Sequence, residues 1–436
     1  MKTKTLLFIL ALYSLQNYSQ TLQVEGKNLF TTSGQNIVLR GINYPIIDEG
    51  LPTLGDPAQY QFKIDEAAKT GANAIRLPWY TNGTHFMDIQ QPGTVQGLID
   101  DGTLSNLIGY CREQGMIPIL EIHNATCSND YDYFNNVIVP WWQQQEILDI
   151  IEEHKAYLIV NIANEFGQAR FIGNVPAAMQ VFKNNYIQAV TALRNSGIDV
   201  PIMIDAPDCG SSSSELLTVA QEILDSDPAE NIIFSAHAYW IAYANTQPAV
   251  NAKLSEIDQS PFCYILGEVA NVQDENNAPC LYDIENIYKW VLTESCELNI
   301  PWLAWTYAQD FCDDRRMTTN GVFNTLTPYG NDLVYNATYG LIGSNTCAAV
   351  TLGTDSHEIS DFIDFKIYPN PGTDIVTISN SEYIEKIALL DISGKVILSK
   401  NENTESLNIS ALNSGIYFLR IESSNSSFKI LKLIKN

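Results

Sequence analysis

Eight short apolar runs, separated by longer stretches of helical spacing, constrain this chain more than any other feature. They occupy 36–44 (NIVLRGINY), 74–80 (AIRLPWY), 117–123 (IPILEIH), 158–165 (LIVNIANE), 201–207 (PIMIDAP), 231–239 (NIIFSAHAY), 263–269 (CYILGEV) and 300–307 (IPWLAWTY). Runs that are apolar throughout, rather than alternating, belong to strands covered on both faces, as in a parallel sheet. The intervening segments 57–73, 104–115, 177–197 and 284–299 space their apolar residues near 3.6, and the first three stop on Gly71, Gly115 and Gly197. Eight strand–helix units predict an α/β fold, a closed (β/α)8 TIM barrel. An open doubly wound sheet is the competing arrangement, and the sequence lacks the Gly-rich phosphate turn that would favour it.

The pattern changes near residue 350. After the Pro369-Asn370-Pro371-Gly372 turn come short runs of period-two alternation (IVTISN, IALLDISGKVIL, GIYFLRIES, FKILKLIKN), which predict a small all-β sandwich. At the other end, basic Met1–Lys4 precedes a ten-residue apolar run at 6–15 and a polar stretch, the pattern of an export signal and too short for a membrane span. The expected organisation is a signal peptide at 1–20, a barrel domain at 21–348, a linker at 349–361 and a β-sandwich at 362–436. The eight cysteines, Cys111, Cys127, Cys209, Cys263, Cys280, Cys296, Cys312 and Cys347, show no metal-binding spacing. In an exported chain they point to disulfides of unspecified pairing, some being free buried thiols. With 50 Asp+Glu against 24 Lys+Arg, a net charge of −26 argues against nucleic acid and anionic membranes.

Active sites of such barrels form where the strands end. The run ends bring Arg76, His123, Asn164-Glu165, His237 with Tyr239, Glu268 and Trp305 to one rim. A lone strand-end Glu is ordinary, whereas two carboxylates from opposed strands suit cleavage of a glycosidic bond. One donates a proton to the leaving oxygen and the other, ionised, attacks the anomeric carbon, about 5–5.5 Å apart in retaining enzymes. Trp79 and Trp240 are expected to line outer sugar subsites. For Trp141, Trp142, Tyr131 and Tyr133, loop packing is an equal reading. Asp310, Asp313 and Asp314 read as an exposed acidic loop in preference to a calcium site.

The stretches GINY, AAKTGANAIRL, ILEIHNAT, IVNIANE, LRNSGIDVPIMIDA, IIFSAHAY, LGE and PWLAWTY, spread over residues 25 to about 345, resemble glycoside hydrolase family 5, in particular its bacterial endo-β-1,4-mannanase branch. The resemblance implies Glu165 as general acid/base and Glu268 as nucleophile. It implies that Asn164 holds the sugar 2-hydroxyl, that Arg76 keeps Glu268 ionised and that Tyr239 donates to Glu268. His237 and His123 would position the sugar and the carboxylates, and Trp305 would be the platform beneath the reacting ring. Three departures touch substrate subsites: Asn124 where relatives carry Asp, GEVAN for GEFG, and the longer 308–321 stretch after the last run. The C-terminal pattern resembles the type A sorting domain of the type IX secretion pathway, and its lack of Trp argues against a sugar-binding module. The expectation is a secreted or cell-surface retaining endo-β-1,4-glycanase. It would act as a monomer on mannan, glucomannan or glucan, engage the type IX machinery, and need no cofactor, metal or nucleic acid. The alternatives are an endo-β-1,4-glucanase, a non-catalytic sugar-binding barrel and an adhesin scaffold.

Overall fold

The computed structural model describes residues 21–275, 278–344, 347, 367–379, 381, 384–390, 396–401, 404–423 and 428–436, so the expected signal segment and the 349–361 linker lie outside it. The chain divides into two compact units, Met1–Leu352 and Gly353–Asn436.

All eight apolar runs contribute a strand to one closed parallel barrel. We number these β1 (Arg40–Asn43), β2 (Ala74–Trp79), β3 (Ile117–Ile122), β4 (Ile159–Asn161), β5 (Ile202–Asp205), β6 (Ile232–His237), β7 (Tyr264–Val269) and β8 (Trp302–Ala304). They pair in sequence order, and β8 closes onto β1 through Trp302↔Arg40 and Ala304↔Ile42. The four expected helices form at Pro57–Ala68, Thr103–Glu113, Val175–Asn195 and Glu285–Glu297, packing between or beside the strands they connect. Gly41 sits where a side chain has no room, since a Cβ there would lie 2.2 Å from the Ala74 carbonyl oxygen of β2.

The first run is shorter than expected as a barrel strand. Asn36–Ile37 turns away to pair with Asn28–Phe30 in a three-stranded sheet, leaving only Arg40–Asn43 in the barrel. Leu22, Val24, Leu29 and Ile37 of this N-terminal segment pack on Ala74, Ile117, Ile119 and Ile159, closing the floor of the barrel. Because side chains alternate along a strand, the inward series starts apolar at this floor and turns polar toward the C-terminal rim. Ile117 and Ile119 are followed by Glu121, Ile159 by Asn161, Met203 by Asp205, and Ile233 by Ser235 and His237.

Disulfides join Cys127–Cys209, Cys280–Cys312 and Cys296–Cys347, while Cys111 and Cys263 are buried thiols. In the C-terminal unit, two antiparallel sheets of three and four strands are present. They bury Val376, Ile378, Ile387, Leu389, Leu407, Leu419, Ile421 and Leu433 between them, the sandwich expected from the alternation.

Candidate active site

Arg76, at an inward position of β2, is fully buried and organises the rim. Its Nε donates to Asn161 Oδ1 (2.9 Å), Nη1 to Asn43 Oδ1 (3.0 Å) and Glu268 Oε1 (2.9 Å), and Nη2 to Asn164 Oδ1 (2.7 Å) and Asp205 Oδ2 (3.4 Å). Glu121 Oε2 lies 3.7 Å from Nη1. Such a planar fork can satisfy several oxygens at once, which a lysine cannot. Glu121, Asp205, Asn43 and Asn161 were not expected at the site. Their signal was a polar residue at an inward position of an otherwise apolar strand.

Glu268 reaches the rim through a break in β6–β7 register between Leu266 and Glu268, which pairs it with His237. Its Oε2 accepts from the Tyr239 hydroxyl (2.8 Å). Glu165 stands beyond the end of β4, which stops at Asn161, with φ of 50°. That left-handed backbone is uncommon for a side-chain-bearing residue. It is held by the Glu165 amide donating to Asp205 Oδ2 (3.2 Å). His237 Nδ1 meets Glu165 Oε1 at 2.7 Å and Glu268 Oε1 at 3.5 Å. Oxygens of Glu165 and Glu268 and a His237 nitrogen lie within 4.8 Å of one another. Such an approach of two carboxyl groups is the arrangement on which two-carboxylate cleavage of a glycosidic bond depends.

Burial alone would lower the His237 imidazole, but Glu268, Asp205 and Glu165 around it outweigh burial and push it up to about 9. The imidazole faces Glu165 Oε1 with Nδ1 at 2.7 Å, and its Nε2 lies 3.6 Å from Asp205 Oδ2. Because this group is raised above its ordinary 6.5, the stability it contributes is fully present below that value and is lost as pH rises through about 9. The thermal midpoint is expected to fall between those limits, and His237→Asn is expected to remove that fall. A wild-type midpoint that stays flat across the window would contradict the charged imidazole. Burial raises the Glu268 carboxyl; His237 draws it down, Glu165 pushes it up, and Arg76 and His123 draw it down, with the balance above the ordinary value. Tyr239 is raised far above its usual value by burial and by Glu268, so it remains a phenol donor.

The other expected residues divide. His123 Nδ1 contacts Glu121 Oε2 (3.2 Å), and its ring lies parallel to Trp305 at 5.5 Å. The Trp305 indole N–H is taken by Asp310, which also accepts from Arg315 Nε (2.7 Å) and Nη2 (2.8 Å). Asp310 is thus a buried anchor for Trp305, while Asp313 is the exposed loop carboxylate expected of its neighbours. Asn164 uses Oδ1 for Arg76 and Nδ2 for Thr126 Oγ1 (2.9 Å). Asn124 ties two loops together through the Thr81 amide, the Thr81 hydroxyl and Tyr133.

Trp79 and Trp240 require correction as sugar contacts. Both rings are fully buried in the layer between strands and helices. Each follows an inward-facing residue of its segment, so alternation turns it outward under the helices. Trp141 and Trp142 are also buried, the Trp142 indole donating to the Ile162 carbonyl (3.0 Å), which is the loop-packing role. Tyr131 and Tyr133 are half-buried in the same loops. Cys127 and Cys209, which stand with Glu165, are joined as a disulfide and offer no thiolate to a metal.

Barrel and rim together define the class, a (β/α)8 glycoside hydrolase. The chain belongs to glycosyl hydrolase family 5: the family model described as Cellulase (glycosyl hydrolase family 5) matches residues 30–310. The model of the secretion system C-terminal sorting domain matches residues 366–436, so both sequence resemblances hold. A mannan endo-1,4-beta-mannosidase of Salipaludibacillus agaradhaerens is 25% identical over 319 residues, 72% of this chain and 91% of that protein. A mannan endo-1,4-beta-mannosidase of Cellvibrio japonicus is 24% identical over 77% of this chain and 71% of that protein. Among solved structures, a beta-mannanase from Streptomyces thermolilacinus with mannohexaose superposes with a TM-score of 0.60. It is 20% identical, covering 78% of this chain and 100% of that one.

Proposed function

We propose that this chain is a secreted or cell-surface retaining endo-β-1,4-mannanase in which Glu268 is the nucleophile and Glu165 the acid/base. The observation that carries the reading is the asymmetric pair. One oxygen of each carboxylate lies within 4.8 Å of the other; Glu268 accepts from Arg76 and Tyr239 and faces His237, whereas Glu165 Oε1 meets His237 and its Oε2 lies against a disulfide sulfur. Arg76 and Tyr239 donate to the two oxygens of Glu268, orienting it for attack and opposing the burial that raises it. In the first step Glu165 protonates the glycosidic oxygen as Glu268 attacks the anomeric carbon and the leaving chain departs. In the second, Glu165 takes a proton from water, which displaces Glu268 and restores both carboxyl groups. Asn164 lies beside Glu165 and Arg76, where it can meet the 2-hydroxyl. Trp305, held by Asp310 and stacked with His123, offers a face to the sugar.

Mannan is favoured over glucan by the activity named for the relatives above. A relative named Beta-mannanase/endoglucanase A, from Caldicellulosiruptor saccharolyticus and 26% identical over 63% of this chain, supports glucan as the second reading. The two-carboxylate chemistry itself calls for no cofactor. The protein is read as a monomer, and the C-terminal unit supports export through the type IX machinery. Purified protein is expected to release reducing ends from galactomannan and glucomannan and little from carboxymethylcellulose. Release from cellulose alone would select the glucanase, and release from none across pH 4–9 would remove the enzyme reading.

A further inference from the structure

The Cys127–Cys209 disulfide is out of place for a simple staple. Cys127 lies in the loop after β3 and Cys209 in the loop after β5, so the cystine passes over the end of β4, where Glu165 stands. Cys127 Sγ is 3.3 Å from Glu165 Oε2, and both sulfurs lie within 4.8 Å of that carboxylate. An oxidised sulfur carries no proton, so it supplies Oε2 with a polarisable wall rather than a hydrogen bond. The other oxygen, Oε1, is occupied by His237.

The loops that carry the two sulfurs are themselves fixed. Buried Asp208 accepts from the amides of Ala169 (2.8 Å) and Arg170 (3.0 Å), just past Glu165, and from the Ser212 hydroxyl (2.6 Å). The Gly167 amide donates to the Ser128 carbonyl and the Asp208 amide to the Gly167 carbonyl, lacing the three loops together. The His237 amide donates to the Gly210 carbonyl. Gly210, at φ of 72°, allows this approach because a Cβ would lie 2.6 Å from the His237 ring. The same turn thus places the cystine on one side of Glu165 and His237 on the other.

We propose that the Cys127–Cys209 cystine is a positioning element for the acid/base, clamping Glu165 between sulfur and His237 so that Oε2 faces the leaving oxygen. The proposal rests on the reading of Glu165 as acid/base. A clamp of this kind matters for departure of a poor leaving group, which must be protonated, and not for one that leaves as a stable anion. The test is kcat/KM, which reports the bond-cleaving step, on mannohexaose and on a 2,4-dinitrophenyl β-mannobioside.

Cys127→Ala/Cys209→Ala is expected to lose about 10²-fold on mannohexaose, the scale of a small misplacement of a reacting group, and about 2-fold or less on the activated substrate. Cys296→Ala/Cys347→Ala, remote from the rim, is expected to leave both substrates unchanged. Equal losses on the two substrates, or no loss on either, would overturn the clamp and leave the cystine as a cross-link. If the alanine pair does not fold, the same ratio is read on native wild type before and after dithiothreitol, with the Cys296/Cys347 variant treated in parallel. Glu165→Ala calibrates the assay. If it shows the split and the cystine variant does not, only the clamp fails; if Glu165→Ala itself shows no split, the acid/base reading fails.

Discussion

Glu268→Gln is expected to fold normally and to lose turnover by roughly 10⁵-fold or more, the scale seen when a nucleophile is removed. The amide preserves the shape of the side chain and can still accept from Arg76 Nη1, which lies 2.9 Å from Oε1. Its thermal midpoint should therefore stay close to that of wild type. What it lacks is the charge and nucleophilicity to form a glycosyl-enzyme. Circular dichroism melting beside single-turnover kinetics on mannohexaose checks both halves. Residual activity within about 10-fold of wild type, against the loss expected for a nucleophile, would exclude Glu268 from the covalent role.

Arg76→Met is expected to be the most destabilising single change at the rim, by about 3–5 kcal/mol, because it leaves buried carboxylates without their cation. Arg76 faces Glu121, Asp205 and Glu268 with no exposure to solvent, and it also holds Asn43, Asn161 and Asn164. The methionine fills the volume but donates nothing, so loss of packing cannot account for the cost. Arg76→Lys should recover part of the stability through its charge and little of the activity, since one ammonium cannot reach the same set of oxygens. Urea unfolding at neutral pH measures this. A change below about 1 kcal/mol for Arg76→Met, less than a broken buried pair costs, would mean that the carboxylates are not charged as a group.

The barrel was legible because its strands are covered on both faces and therefore apolar along their whole length, which also marked where each one stops. The paired glutamates were legible for the same reason, as charges at the ends of such runs. What the linear reading lacked was the alternation within each strand. Following it from Ile117 and Ile119 would have led to Glu121, and from Met203 to Asp205, the two carboxylates that balance Arg76. It would also have turned Trp79 outward, one position past Pro78 and three past the inward Arg76. Asp310 was read with its exposed neighbours because its partners, Trp305 and Arg315, meet it only when the loop after β8 folds back. Disulfide pairing was out of reach, since Cys127 and Cys209 are 82 residues apart and are brought together by the barrel itself.

The central claim is that Glu165 and Glu268 act on one anomeric carbon, with Glu268 forming the covalent bond. Trapping with a 2-deoxy-2-fluoro-mannosyl donor bearing a good leaving group, followed by peptic digestion and tandem mass spectrometry, tests it most directly. The predicted result is a single fluoroglycosyl adduct on the Glu268 carboxylate, formed as activity disappears. An adduct on any other residue, or slow turnover of the donor with no adduct at all, would contradict it.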